Sequence, residues 1–423
     1  MAGRTTQWPL MSWFEIIAVL TTTLAFFGYV NHRFIRLPDT VGITAMGLVL
    51  ALVLALLGPH LPGVTEQAHA FVDRLDMYEL VFHALLPVLL FAGSMHISVG
   101  DLRRQKVPVG ILSTIGLLIS ISIVGLGTWW LVGALGVPVA LSHCLLFAAL
   151  ISPTDPIAVL GMLKTAGAPR DLEVNIAGES LFNDGTAVVA YVVLLGLGTG
   201  AAEPSAGAVA LLLAQEVLGA LVIGLAVAGV GVWMLKGVQS HAVEIVITLA
   251  IATGGYSLAE AAHASGPLCS VVMGLVVGHH GTRRAMGEHG RSTLFAFWEM
   301  LDELFNLLLF GLIGLKLAAP YGEGSHWPVA LALLPLVLLA RWTSVALPLL
   351  TLRPWWPQRR HTVFLMSWGG LRGGISVALS LSLPAFAGKD LFVAATFAVV
   401  LFSLLVQAPT LGLILRRLGI GRH

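Results

Sequence analysis

The stretch LEVNIAGESLFNDGTAVVAYVVLLGLG (residues 172–198) decides the fold, because it places acidic side chains inside an apolar run. A helix that crosses a bilayer needs about 20 mostly apolar residues, and this run is long enough. Glu179 and Asp184 lie near its middle. A charge at that depth costs about 2.5–3.5 kcal/mol on insertion scales. We therefore expect each of these acids to have a function or a buried partner.

The composition of the whole chain predicts a membrane protein. Of its 423 residues, 57% are hydrophobic and 11% are charged, and the mean hydropathy is +0.90. Soluble domains carry about 25% charged residues. The basic residues are scattered, which excludes a nucleic-acid partner. Cys144 and Cys269 both lie in apolar runs, so we expect no disulfide framework and no cysteine metal site. We also expect no cofactor.

Thirteen apolar segments predict an all-α polytopic membrane protein with about 13 transmembrane helices. No connector is long enough for a soluble regulatory domain, so we expect one transmembrane domain over residues 1–423. The segments are 11–31, 40–58, 79–98, 107–135, 139–163, 174–198, 206–235, 241–262, 266–280, 298–318, 327–352, 361–384 and 391–415.

The distribution of Lys and Arg predicts the orientation. An odd number of spans places the two termini on opposite sides. Of 23 Lys and Arg, seventeen lie in connectors on the side of the C-terminus and four on the other side. Connectors rich in Lys and Arg remain cytoplasmic. The C-terminus is therefore predicted to be cytoplasmic and the N-terminus outside.

The fifth segment contains residues that interrupt a helix. In ISPTDPIAV (residues 151–159), Pro153 and Pro156 flank Thr154 and Asp155. Proline removes a backbone hydrogen bond and disfavours helix in the residue before it, so we expect the helix to break near Asp155. Non-helical backbone at membrane depth is tolerated where it lines a site.

The twelfth segment contains a second predicted interruption, WGGLRGGIS (residues 368–376), in which four glycines surround Arg372. We expect Arg372 to compensate charge where the interrupted helices cross. Segments five and twelve run in opposite directions across the membrane, as in an inverted-topology repeat with discontinuous crossing helices. The first repeat would cover residues 11–198, the connecting span 206–235 and the second repeat 241–415.

The charges at membrane depth do not balance. The acids most clearly at depth are Asp155, Glu179 and Asp184, against Arg341 and Arg372. One carboxylate is therefore left without a counter-charge. A second acidic group, Glu299, Asp302 and Glu303, lies at the start of the tenth segment, where we expect interfacial positions.

The spacing within the sixth segment distinguishes its two acids. Ser180 and Asp184 are four residues apart, so they share a helix face and offer oxygens to a hard cation. Glu179 is better placed to meet a neighbouring helix, where Arg341 is its natural counter-charge.

A lone carboxylate in a low-dielectric site can hold a proton or a monovalent cation. Competition between the two at Asp184 is enough for antiport if the site faces each side in turn. Either occupant cancels the same charge, so we expect the exchange to be electroneutral.

Six motifs, taken together and in order, resemble the monovalent cation/proton antiporters of the NhaP type, prokaryotic relatives of the animal sodium/proton exchangers. They are TDP (154–156), GESLFND (178–184), SGPL (265–268) followed by GLVVG, FWEMLDELFNLLLFGLIGL, ARWTSV (340–345) and WGGLRGGIS (368–376).

This resemblance implies exchange of sodium or lithium for a proton across a prokaryotic plasma or inner membrane. It implies a cation site built from Asp155, Ser180, Asp184 and the Thr154 carbonyl, with Asp184 as the main exchanged carboxylate. Asn183, before that aspartate, is counted with these cation- and proton-binding residues and is typical of the electroneutral branch.

The resemblance also implies that an ion pair between Glu179 and Arg341 holds the core together. It further implies a homodimer whose core domain moves against a dimerisation domain.

One motif departs from the family pattern. The third segment reads LLFAGS (residues 89–94), with Ala92 where relatives typically carry a glutamate that helps to form the cation site. This difference leaves the ligand set and the preferred ion open.

Three other functions stay open on the sequence alone. Potassium/proton exchange is the nearest, given Ala92. A passive cation channel would need a symmetric assembly of carbonyl-rich filter loops, and here two single interruptions lie in one chain. An intramembrane protease would use Ser180 or the pair Asp155 and Asp184, but no histidine is evidently placed as a base.

Overall fold

The chain is almost entirely helical and has no strand in the residues that the computed structural model describes, which are 13–57, 76–198, 206–281, 288–316, 327–356, 361–386 and 388–420. This confirms the all-α prediction. The helices are α1 (Trp13–Val30), α2 (Asp39–Leu57), α3 (Met77–Met95), α4 (Val99–Arg104), α5 (Lys106–Ala134), α6 (Leu141–Ile151), α7 (Ile157–Ala166), α8 (Arg170–Gly198), α9 (Ala206–Leu235), α10 (His241–Ala261), α11 (Gly266–Val276), α12 (Glu288–Lys316), α13 (Trp327–Leu352), α14 (Thr362–Trp368), α15 (Gly374–Leu381) and α16 (Lys389–Arg417).

Each of the thirteen predicted segments corresponds to one helix or one interrupted helix. Seven helices in the described residues are long and apolar enough to cross a membrane, and the remaining apolar ones are shorter or interrupted. The number of crossings therefore stays a prediction. The short helix α4 was not predicted. It begins after Ser98, whose hydroxyl accepts a hydrogen bond from the backbone N–H of Asp101, as an N-cap residue does.

The smaller of two compact units comprises residues 1–75 and 307–319. Its described part contains α1, α2 and the last turns of α12. Leu24, Phe27 and Ile43 form its apolar core. The hydroxyl of Thr44 donates to the carbonyl of Thr40 within α2 (2.8 Å), which satisfies this buried polar side chain locally.

The larger unit comprises residues 76–306 and 320–423 and contains every candidate site residue. Within it, α11 packs closely against α3 through the glycines of the GLVVG motif. A Cβ atom on Gly274 would overlap the Phe91 carbonyl, and one on Gly278 would overlap the Met95 carbonyl. Small residues four apart let helix backbones approach closely, as is common between membrane helices.

The chain leaves the helical conformation at both predicted interruptions. Helix α6 ends at Ile151 and α7 begins at Ile157, while α14 ends at Trp368 and α15 begins at Gly374. The two non-helical segments meet, since the backbone N–H of Asp155 donates to the carbonyl of Leu371 (2.8 Å). Whether they form an inverted repeat stays a prediction.

We predict that Gly274→Ala destabilises the protein by about 1–3 kcal/mol, because the added methyl group overpacks the contact between α3 and α11. Thermal unfolding in detergent measures this effect. The matched control is Gly254→Ala in α10, where an added Cβ atom meets nothing within 4 Å. Equal unfolding temperatures for the two variants would contradict the assignment of Gly274 as a packing contact.

Candidate functional site

Asp155 lies in the non-helical segment between α6 and α7, with its carboxylate against the backbone of Gly373. A Cβ atom on Gly373 would overlap this carboxylate, so only glycine allows the approach. Gly373 is also the residue before the first turn of α15. The N-terminal end of a helix favours negative charge, so Asp155 is stabilised where it lies.

Arg372 lies at the C-terminal end of α6. Its Nη1 donates to the carbonyls of Ser152 and Pro153, the two residues that follow α6. The hydrogen bond to the Pro153 carbonyl is 2.7 Å long. These carbonyls lost their helical partners when the prolines ended the helix. A cation at a helix C-terminus is favourable, and this geometry fits the charge compensation expected of Arg372.

Glu179 and Arg341 form a two-pronged ion pair between α8 and α13. Nη1 of Arg341 donates to Oε1 of Glu179, and Nη2 donates to Oε2 at 3.0 Å. Nη2 also donates to the carbonyl of Met366 at the end of α14 (2.9 Å). A Cβ atom on Gly370 would overlap the guanidinium group. Both carboxylate oxygens of Glu179 are therefore paired with Arg341, so Glu179 is not the carboxylate without a counter-charge.

Thr154 is held by two side chains of α8. Its hydroxyl lies 2.9 Å from the Ser180 hydroxyl and accepts a hydrogen bond from Nδ2 of Asn183 (3.0 Å). The Oδ1 atom of Asn183 accepts from the backbone N–H of Thr154 (3.4 Å). Both polar atoms of the Asn183 amide thus hold the segment that contains Asp155. Asn183 therefore positions this segment, and its part in ion binding stays a prediction.

Asp184 lies one helical turn after Ser180 and is only 8% exposed. Its charge is close enough to that of Asp155 for the two carboxylates to repel each other. Among the described residues, no Lys, Arg or His forms an ion pair with Asp184. Carboxylate, hydroxyl and carbonyl oxygens around a buried negative charge are suited to bind a hard monovalent cation or a proton.

Ala92 gives the site no ligand. It is fully buried in an apolar cluster that contains Phe91 and Trp298, whose rings lie 4.6 Å apart. Its carbonyl is already close to Nδ1 of His96 (2.8 Å). Helix α3 therefore contributes no acid at this position.

Gln407, which was not predicted as a functional residue, satisfies a backbone carbonyl at the end of α14. Its Nε2 donates to the carbonyl of Trp368 (3.1 Å), and its Oε1 accepts from the Ser403 hydroxyl (2.8 Å). Gln407 is 1% exposed. A polar amide inside an otherwise apolar segment was the available signal, since such groups are buried only with partners.

The comparisons with known proteins identify the family of the chain. The profile described as "Sodium/hydrogen exchanger, transmembrane" matches residues 21–417. The chain is 42% identical to the Na(+)/H(+) antiporter NhaP of Pseudomonas aeruginosa over 414 residues, 96% of this chain and 97% of that protein. It is 32% identical to the Na(+)/H(+) antiporter NhaH of Halobacillus dabanensis over 403 residues, 92% and 93% of the two chains.

A solved structure shows the same fold. The sodium proton antiporter MjNhaP1 of Methanocaldococcus jannaschii superimposes with a TM-score of 0.76 at 21% identity, over 97% of this chain and 100% of that one. The profile match over nearly the whole chain, together with relatives above 30% identity along almost their full length, decides the classification. This chain belongs to the sodium/hydrogen exchanger family.

Proposed function

We propose that this protein is a secondary active transporter that exchanges a monovalent cation, most readily sodium, for a proton at Asp184. The supporting observation is the placement of this buried carboxylate beside Asp155, where interrupted helices meet, with no ion-pair partner among the described residues. The printed names of the relatives, Na(+)/H(+) antiporters, support the same exchange.

The cation is coordinated by oxygens of Asp155, Ser180 and Asp184 and by the Thr154 carbonyl. Hydrogen bonds from Asn183 and with the Ser180 hydroxyl position Thr154 beside α8. A proton on Asp184 removes the charge that binds the cation, so the two substrates exclude each other. Alternating exposure of this site to the two sides converts the competition into exchange.

The charge balance supports electroneutral exchange. Glu179 and Arg341 neutralise each other. Arg372 offsets one of the two remaining carboxylates, and Asp155 has the further support of the α15 N-terminus. One negative charge is left at Asp184, which one cation or one proton cancels. Both loaded states then carry the same charge.

The proposal includes the membrane location, the orientation and the oligomeric state of the protein. We propose a plasma-membrane location with the N-terminus outside and the C-terminus in the cytoplasm, on the distribution of Lys and Arg. We also propose a homodimer, which the family resemblance implies.

Asp184→Asn is expected to abolish exchange, because the amide cannot hold a proton or balance a cation. The measurement uses proteoliposomes with an acidic interior, in which a pH-sensitive dye follows the response to sodium, lithium or potassium. Asp390→Asn, a substitution of an exposed aspartate, is the matched control and is expected to retain exchange. Exchange in Asp184→Asn at the native rate would refute the assignment, and the most effective cation identifies the substrate.

Proton competition predicts a specific pH dependence. The apparent KM for sodium is expected to rise by about tenfold per unit decrease in pH once protons dominate the site, by mass action at one carboxylate. The maximal rate at saturating sodium changes far less over the same range. Initial exchange rates measured at several pH values test this, and an apparent KM independent of pH would exclude a shared site.

The ion pair between Glu179 and Arg341 is proposed to brace the core. Glu179→Gln or Arg341→Gln alone is expected to destabilise the protein by about 3–5 kcal/mol, since each leaves a buried charge unpaired. The double variant is expected to lose less stability than the sum of the two losses. Thermal unfolding in detergent gives this double-mutant cycle. Additive losses would show that the two residues do not act as a pair.

A further inference from the structure

The connector between α1 and α2 contains a cleft that the exchange mechanism does not use. Residues 31–35 form a π-helical turn that follows α1, and α2 begins at Asp39. An open cleft of about 470 Å³ lies along this connector, within the smaller compact unit. The residues that line it are Asn31, His32, Arg33, Arg36, Leu37 and Asp39.

Asn31 gives this connector a defined shape. Its side chain is buried. Its Nδ2 donates to the Leu37 carbonyl (3.0 Å) and to Oδ1 of Asp39 (3.1 Å), and its Oδ1 accepts from the backbone N–H of Leu37 (3.3 Å). A Cβ atom on Gly42 would overlap the Asn31 amide, so glycine is required there. The only acid in the lining of the cleft, Asp39, is therefore held by Asn31.

Arg36 adopts a backbone conformation that arginine normally avoids. Its φ is 59° and its ψ is 32°, in the left-handed region. Its backbone N–H donates to the carbonyl of Asn31 (2.7 Å), which ends the helical turn. Glycine is the usual residue at such a position because it has no Cβ atom. A strained arginine in a connector of defined shape indicates that its side chain has a use.

The guanidinium groups of Arg33 and Arg36 are available to an anion. Both residues are exposed, and neither forms an ion pair among the described residues. Two arginines outweigh the single carboxylate of Asp39, so the cleft carries a net positive charge. A guanidinium group binds phosphate oxygens with two parallel N–H donors. The cleft is therefore suited to a phosphate group.

The apolar surface of α1 and its π-helical turn indicates a phosphate that belongs to a lipid. Phe26 and Tyr29 lie about one turn apart on α1 and are 61% and 64% exposed. Phe34 is 69% exposed, and Cζ of Arg33 lies 5.6 Å from the centroid of its ring. Exposed aromatic side chains beside basic residues are typical of the membrane interface. A phospholipid can contact these rings and the arginines together, whereas a free phosphate contacts only the arginines.

We propose that this cleft binds the headgroup of an anionic phospholipid, whose phosphate is held by Arg33 and Arg36. The acyl chains of this lipid lie along the exposed aromatic side chains of α1. An anionic headgroup fits better than a zwitterionic one because the cleft carries a net positive charge. This binding goes beyond cation exchange and does not depend on Asp184.

Lipid binding to the purified protein tests this site. Native mass spectrometry of the protein in detergent measures its affinity for phosphatidylglycerol. Arg36→Gly is expected to lower that affinity about fivefold, since one basic residue near an anionic surface contributes on the order of 1 kcal/mol. The variant is expected to fold normally, because glycine adopts the left-handed conformation without strain. An unchanged affinity would overturn the proposal.

Arg353→Gln is the matched control, because Arg353 is an exposed arginine in the connector after α13 and does not line the cleft. Its affinity for phosphatidylglycerol is expected to equal that of the native protein. An equal loss of affinity in Arg353→Gln and Arg36→Gly would show a general attraction of the lipid to surface charge, and the cleft would not be a site.

Asn31→Ala separates the shape of the cleft from its charge. This variant keeps every charge but lacks the hydrogen bonds that shape the connector. We expect it to bind phosphatidylglycerol more weakly than the native protein. Full affinity in Asn31→Ala would show that charge alone decides binding and would contradict a built site.

Two other ligands identify the chemistry that the cleft selects. Phosphatidylcholine is expected to bind more weakly than phosphatidylglycerol, because its choline group adds a positive charge. Glycerol 3-phosphate, which has the phosphate but no acyl chains, is expected not to displace phosphatidylglycerol at an equal concentration. Displacement at that concentration would show a site for free phosphate esters, and equal binding of the two lipids would show no selection of anionic headgroups. Either result would overturn the proposal.

Discussion

The interrupted helices impose the constraint on which the rest of this structure depends. Their free backbone carbonyls lie among buried side chains, where each unsatisfied group costs several kcal/mol. The chain satisfies them with buried donors. Arg372 reaches the carbonyls after α6, while Arg341 and Gln407 reach those at the end of α14. The interruptions are stable only because these donors are present.

This constraint also determines the charge of the site. In the described part of the larger unit, the two buried arginines both donate to helix ends, and Arg341 is shared with Glu179. Neither is free to neutralise Asp184. The uncompensated carboxylate thus follows from how the backbone is satisfied, and substitutions far from Asp184 can change its properties by moving an arginine. The glycines 370 and 373 belong to the same arrangement, since each leaves room for a charged side chain.

Much of this arrangement could be predicted from the sequence because it depends on residue type and short spacing. Pro153 and Pro156 indicated one interruption, and the glycines around Arg372 indicated the other. The count of buried charges singled out Asp184. The partners of Arg372 and Gln407 could not be predicted, because they are backbone carbonyls that lie 220 and 39 residues away in the chain. Spacing along one helix contains no information about such contacts.

The geometry also shows a role for Asn183 that its residue type did not indicate. Asn183 was grouped with the ion ligands, yet both of its polar atoms hold Thr154. An aspartate at this position has no N–H to donate to the Thr154 hydroxyl, so the threonine would have to reverse its hydrogen bond. Asparagine therefore fixes the direction of that hydrogen bond as well as removing a charge.

The absence of an acid at Ala92 on α3 raises the question of whether a neighbouring helix carries one instead. The surroundings of Ala92 on α3 are apolar and closely packed, so a ligand there would have to displace the contact between Phe91 and Trp298. Trp298 lies one turn before Asp302 on α12 and belongs to the same apolar cluster as Ala92. The helix that contributes Trp298 to this cluster thus carries an acid, whereas α3 carries none at position 92. Because Coulomb interactions depend on distance and not on which helix carries the charge, an acid on α12 can attract cations as one on α3 would.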